Sequence, residues 1–163
     1  ACYCLTEPDA GSDANSGKTK AVLSADGTHY LITGQKMWIS NAGFADLFIV
    51  FAKIEDDKNL TAFIVEKTFG GITMNEEEKK LGIKGSSTRQ VFFNDCPVPV
   101  ANMLSARGNG FKIASSHCYI LTKACRSWVA GGNKELAAVH TLCDLPSKGM
   151  FPSTRSQEQY IHS

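Results

Sequence analysis

Apolar and polar positions alternate with the two-residue period of half-buried strands through most of the first two-thirds of the chain. Residues 18–25 show it first, with Ala21 and Leu23 opposite Lys20, Val22 and Ser24. Asp26-Gly27 is a hairpin signal, because a tight turn between twisted strands needs residues that tolerate a left-handed backbone, and 29–33 is the returning strand. Gly34 is expected to end that strand, and 36–40 to form a separate short one carrying Met37, Trp38 and Ile39. Asn41-Ala42-Gly43 reads as a turn, 47–54 as an almost continuous apolar strand, 55–59 as a charged turn and 60–66 as the return. Phe69-Gly70-Gly71 interrupts the pattern before a short strand at 72–75, and the charge run at 76–80 is a solvated loop. Residues 91–93 are the heart of a last strong strand. Pro97 and Pro99, which bring no N–H to a ladder, mark the exit from the sheet.

The character changes at Gly110. Residues 111–114, 120–129 and 135–142 have helical character, and 146–163 is polar without a clear period. Many short strands joined by turns, with no helices between them, predict a mainly β fold: an antiparallel β-barrel or orthogonal sandwich, followed by a partial, irregular helical segment. The expected organisation is a β-domain over 1–105, the start of a helical domain over 106–145, and an irregular tail over 146–163.

Composition narrows the partners more than the fold. The chain has 163 residues with 43% hydrophobic content, enough for a core, and a formal net charge of +1. That balance gives no footprint for nucleic acid or a membrane surface. The longest apolar runs are far too short to span a bilayer as a helix. Six cysteines, in a chain longer than the small secreted class and with no basic-then-apolar leader, favour reduced thiols in a cytosol-like compartment, so the protein is not expected to be secreted. Cys2 and Cys4 share one strand face and read as packing residues. Among His117, Cys118, Cys125, His140 and Cys143 the spacing is irregular and no Cys-x-x-Cys occurs, so no metal site is expected. Ala1 to Leu5 already reads as strand with no lead-in, as in a fragment whose upstream partner is missing.

Two motifs compete for the segment from Cys4 to Thr19. A phosphate loop needs a glycine five residues before Gly17-Lys18-Thr19; that position is Ser12, and Gly11 falls one residue too early. A strand and hairpin follow, where a phosphate loop needs a helix. The other half, Cys4-Leu5-Thr6-Glu7-Pro8-Asp9-Ala10-Gly11-Ser12-Asp13, resembles the signature of the acyl-CoA dehydrogenase family. Residues 34–43, Gly-Gln-Lys-Met-Trp-Ile-Ser-Asn-Ala-Gly, resemble that family's second flavin motif. Segments 61–66, 80–88, 98–104 and 110–114 follow in the family's order, in wording closest to its very-long-chain branch.

The resemblance implies an FAD-dependent enzyme that oxidises a fatty acyl-CoA to the trans-2-enoyl-CoA, with hydride passing to flavin N5 and electrons then to electron-transfer flavoprotein. It implies that Tyr3, Cys4, Leu5 and Thr6 meet the flavin through backbone amides and the Thr6 hydroxyl. Ser40 would sit near N5, with Trp38 and Ile39 beside the ring. Gly11 would allow close backbone approach, and Ser12 would meet the acyl-CoA near its thioester. Taken singly, these residues have plainer readings. Trp38 alone would be core, Thr6 and Ser12 turn residues, Asp13 a loop cap and Glu7 a turn or surface carboxylate. The family's glutamate base belongs to helices that this chain does not carry in recognisable form: residues 115–129 hold no acidic side chain, and nothing matches Glu135 or Glu158 to the role. No catalytic residue is therefore expected here, and the isolated chain is expected to be inactive. Family members are typically homo-oligomers in bacterial cytoplasm or the mitochondrial matrix. The alternative is a β-barrel binding or interaction module without turnover.

Overall fold

The computed structural model describes residues 1–115, so the expectations at 120–129, 135–142 and 146–163, and those for His117, Cys118, Cys125, Glu135, His140, Cys143 and Glu158, lie outside the described residues. Ala1–Ile113 forms one compact unit. Its strands are β1 (Cys2–Cys4), β2 (Lys20–Leu23), β3 (His29–Ser40), β4 (Leu47–Ile54), β5 (Thr61–Glu66), β6 (Ile72–Met74), β7 (Thr88–Pro99) and β8 (Met103–Leu104). They run in the order β6-β7-β3-β2-β4-β5-β8, with β1 on β4. A helical turn opens at 110.

The mainly β class holds, with two departures from a closed antiparallel barrel. The sheet does not close, since β6 and β8 are its ends. Two pairings are parallel: β1 with β4 over three residues, and β2 with β4 over two. β4 thus takes β5 along one edge and β1 and β2 along the other. The two-residue join at β2 lets the sheet fold into two layers. The core fills the space between them: Ile32, Val91, Phe93 and Val98 from β3 and β7 pack with Phe48, Val50, Ile54, Phe63 and Val65 from β4 and β5. Phe48 meets Phe93 edge-on with ring centroids 6.4 Å apart, and Tyr30 meets Phe63 at 5.3 Å.

The hairpin at Asp26-Gly27 forms as expected, with Gly27 at φ 70°. Two other expectations are corrected. Gly34 does not end a strand; β3 runs unbroken from His29 to Ser40. A Cβ at Gly34 would lie 2.5 Å from Thr19 Oγ1 and 2.8 Å from Thr19 Cα, so this glycine lets the chain entering β2 press against β3. Pro97 and Pro99 do not mark an exit either, since both pair with β3, opposite Leu31 and His29. The Val100 amide donates toward β3, to the Thr28 carbonyl, so the nitrogens of residues 97 and 99 face the opposite edge. β6 has already ended there, its last partner being Phe93, and no donor is missed.

Candidate functional site

β1 ends at Cys4, and Leu5 and Thr6 lead into a tight turn in which the Glu7 and Ala10 backbones exchange two 3.1 Å hydrogen bonds around Pro8. The second half of β3 lies directly alongside, because the Met37 amide donates to the Thr6 carbonyl at 2.9 Å. Two segments thirty residues apart in sequence thus form one surface.

An ion pair lies beneath that surface. The Lys36 side chain is completely buried, and its ammonium donates to Glu7 Oε1 at 2.7 Å, the Phe51 carbonyl at 2.6 Å and the Leu5 carbonyl at 3.3 Å. Glu7 is buried as well; its carboxylate accepts the backbone amides of Lys18 at 2.5 Å and Thr19 at 3.2 Å. A Cβ at Gly17 would come within 3.0 Å of Glu7 Oε1, which explains the glycine there. The segment Gly17-Lys18-Thr19 therefore does cradle an anion, namely the protein's own Glu7. The expectation that Glu7 is a turn or surface carboxylate is overturned: it sits in the turn but points inward, because an ammonium and two amides await it.

Burial alone would raise the Glu7 pKa. The charge of Lys36 and hydrogen bonds from Lys36, Thr19 and Lys18 outweigh burial and hold the carboxyl below its ordinary value. Burial pulls the Lys36 pKa below its ordinary value despite the opposing charge of Glu7. Elsewhere, Ser24 and Thr28 hold Asp26 at about 2, and Ser87, the Thr88 amide and Arg89 hold Glu77 at about 2. Each of these carboxyls has a folded pKa below its unfolded one. Each adds stability above the unfolded value, and that stability is lost as pH falls through the folded value. Urea midpoints measured from about pH 6 down to about pH 2 are therefore expected to fall steadily below about pH 4.5. Glu7→Gln should remove part of that slope.

Trp38 is aimed outward by a β-bulge. Lys36 pairs with Val91 and Ile39 with Arg89, so β3 carries one residue more than β7 across this span. The offset lets Lys36 and Ile39 both point inward while Trp38 points out, 56% exposed. Its φ is 60°, a left-handed value that a bulky aromatic rarely adopts. Trp38→Gly is expected to stabilise the fold by about 0.5–1 kcal/mol in urea denaturation, since strain is relieved while little buried area is lost. A loss of stability would show that the bulge is unstrained.

The site residues expected from sequence divide into two groups. Thr6, Gly11, Ser12, Trp38 and Ser40 line the accessible side, and the side chains of Thr6, Ser12, Trp38 and Ser40 have no hydrogen-bond partner among the described residues. A Cβ on Gly11 would meet only open space. Tyr3 and Leu5 are partly buried, Tyr3 resting on Phe51 with centroids 5.0 Å apart. Cys4 and Ile39 have core side chains, so only their backbones are available to a ligand. The Cys2 and Cys4 thiols lie 3.7 Å apart in that core, as packing residues. Trp38 is not core. Among the described residues no group of three or more His, Cys, Asp or Glu side chains is placed to hold a metal. Glu7 and Lys36 were missed as functional residues. The available signal was phase: Lys36 falls on the same parity as Tyr30 and Ile32, both buried, and a charge in that phase demands a partner.

The Thr6 hydroxyl lies beside the bulge that presents the Trp38 indole and the Ser40 hydroxyl, donors suited to a flat, acceptor-rich heterocycle. Residues 2–96 match the family model "Acyl-CoA dehydrogenase, middle domain". The chain is 54% identical over 114 residues to a probable acyl-CoA dehydrogenase of Bacillus subtilis, and 51% identical over 122 residues to the human mitochondrial very long-chain specific acyl-CoA dehydrogenase. Each match covers 70% of this chain and 19% of the relative, so the chain spans about a fifth of their length. The crystal structure of an acyl-CoA dehydrogenase complexed with FAD from Bacillus anthracis superposes with a TM-score of 0.68 at 53% identity, over 70% of this chain and 20% of that one. The chain belongs to the acyl-CoA dehydrogenase family, through that family's middle β-domain.

Proposed function

We propose that this chain is the flavin-facing middle domain of an FAD-dependent acyl-CoA dehydrogenase acting on a fatty acyl-CoA. Residues 1–105 are the middle domain, and 106–145 begin the helical domain. The observation that carries the reading is the Met37–Thr6 backbone bond, which brings the unpartnered hydroxyl of Thr6 beside the bulge that presents Trp38 and Ser40. The flavin, when bound, supplies the two-electron chemistry by accepting a hydride from the substrate's β-carbon at N5. The chain's own groups bind and orient. Thr6 and the backbones of Tyr3, Cys4, Leu5 and Ile39 hold the ring edge, Ser40 offers a hydroxyl near N5, and Trp38 shields the ring from water. Ser12, with Gly11 leaving room, meets the acyl-CoA.

The base that removes the α-proton is assigned to helical parts of the full-length enzyme, as is most of the acyl cavity. Electron-transfer flavoprotein is the expected electron acceptor and a homo-oligomer the expected assembly, in bacterial cytoplasm or mitochondrial matrix. The isolated chain is expected to lose FAD on gel filtration and to show no turnover; stoichiometric retained flavin absorbance would refute that expectation. In the full-length enzyme carrying this segment, Ser40→Ala and Trp38→Ala are each expected to slow flavin bleaching by substrate in stopped flow. Unchanged bleaching in both would remove the reading's support.

A further inference from the structure

The peptide unit joining Leu5 to Thr6 is held from one side only. Its carbonyl accepts from the buried Lys36 ammonium at 3.3 Å. The unit is planar and trans, so its N–H points opposite to its carbonyl, away from Lys36. That Thr6 N–H has no acceptor among the described residues. The next peptide unit is fixed independently, since the Thr6 carbonyl accepts from Met37 and the Glu7 amide donates to Ala10. Thr6 therefore cannot turn to satisfy its amide internally.

We propose that Lys36 is a positioning residue for the flavin: its buried ammonium fixes and polarises the Leu5–Thr6 peptide, so that the Thr6 N–H is presented as a donor to an acceptor atom on the flavin edge. This rests on the flavin reading above. A cation on the carbonyl draws electron density from the amide and strengthens the donor at the far end of the unit. Glu7 neutralises the ammonium and anchors it, and Phe51 supplies the third contact from β4. A merely structural lysine would hold the turn without needing the Thr6 amide to face outward unpaired.

The test follows amide and indole resonances of the isotope-labelled full chain as FAD is added. In the wild type, the Thr6 amide and the Trp38 indole N–H are expected to shift together. In the charge-free double variant Glu7→Gln/Lys36→Met, the Trp38 response should persist while the Thr6 response shrinks several-fold. A Thr6 response undiminished in the double variant overturns the inference and leaves the flavin reading standing. If no resonance of Thr6, Trp38 or Ser40 responds in the wild type with FAD in large excess, the inference is overturned, while the flavin reading is still decided by flavin bleaching in the full-length enzyme. Should the double variant not fold, residual dipolar couplings on the wild type decide. A Thr6 N–H vector directed away from Lys36, with the largest FAD response at Thr6, supports the proposal; an inward vector overturns it.

Discussion

Glu7→Gln is expected to lower the unfolding free energy by about 3–5 kcal/mol, read from urea denaturation at neutral pH. The change leaves the Lys36 ammonium buried without a counter-ion, and the glutamine's single oxygen cannot serve both Lys36 and the Lys18 and Thr19 amides, so its NH2 is turned on one set of donors; a buried charge without a counter-ion is among the most destabilising single defects. Lys36→Met should be milder, because the stranded Glu7 carboxylate keeps the amides of Lys18 and Thr19. Glu7→Gln/Lys36→Met is expected to be more stable than Glu7→Gln alone, since it removes the uncompensated charge. A double variant no better than Glu7→Gln would show that the two groups are not energetically coupled. The single variant also has a pH signature. Its Lys36 should titrate lower still, so between that lowered value and the ordinary lysine value the unfolded chain binds more protons than the folded one. Stability should then climb as pH rises toward the ordinary lysine value of 10.5.

The ion pair also shows where sequence reading stops. Strand existence was legible because alternation is local: β2, β4, β5 and β6 lie close to their expected spans, and the turn at Asp26-Gly27 is written in two residues. Register was not legible. The bulge that turns Trp38 outward exists because β3 carries one residue more than β7, a relation between strands some fifty residues apart. The family motifs named Thr6, Ser12, Trp38 and Ser40, all of which reach accessible positions. They did not name Glu7 and Lys36 as partners, because that pairing depends on β1 docking parallel to β4 and β3 closing over the turn. In the sequence Gly17 reads only as part of a phosphate loop that fails, and Gly34 as the end of a strand. Their actual reason is steric, the close approach of Glu7 and Thr19, which only the folded chain defines.

Phe51→Ala is expected to destabilise the fold by about 3–5 kcal/mol in the same denaturation assay. Phe51 is completely buried, yet it stands outside the main core cluster that its β4 neighbours Phe48, Val50, Ala52 and Ile54 join. Successive strand residues point to opposite faces, so Phe51 faces away from the core and packs under the first motif, against Tyr3 with ring planes inclined at 58°. Its truncation would open a cavity directly beneath the surface assigned to the flavin. The backbone carbonyl that accepts from Lys36 survives the change, so the Glu7–Lys36 coupling should be retained in a double-mutant cycle. Tyr3, in contrast, loses the ring that fixes its tilt, and its aromatic resonances should move toward their unfolded positions while those of Tyr30, packed on Phe63, stay put. Phe51→Leu, which keeps most of the volume, should recover most of the loss. A loss below about 1 kcal/mol for Phe51→Ala would mean that the layer under Tyr3 is loosely packed, and a Tyr3 signature unchanged by the truncation would mean that Phe51 supports stability without shaping the site.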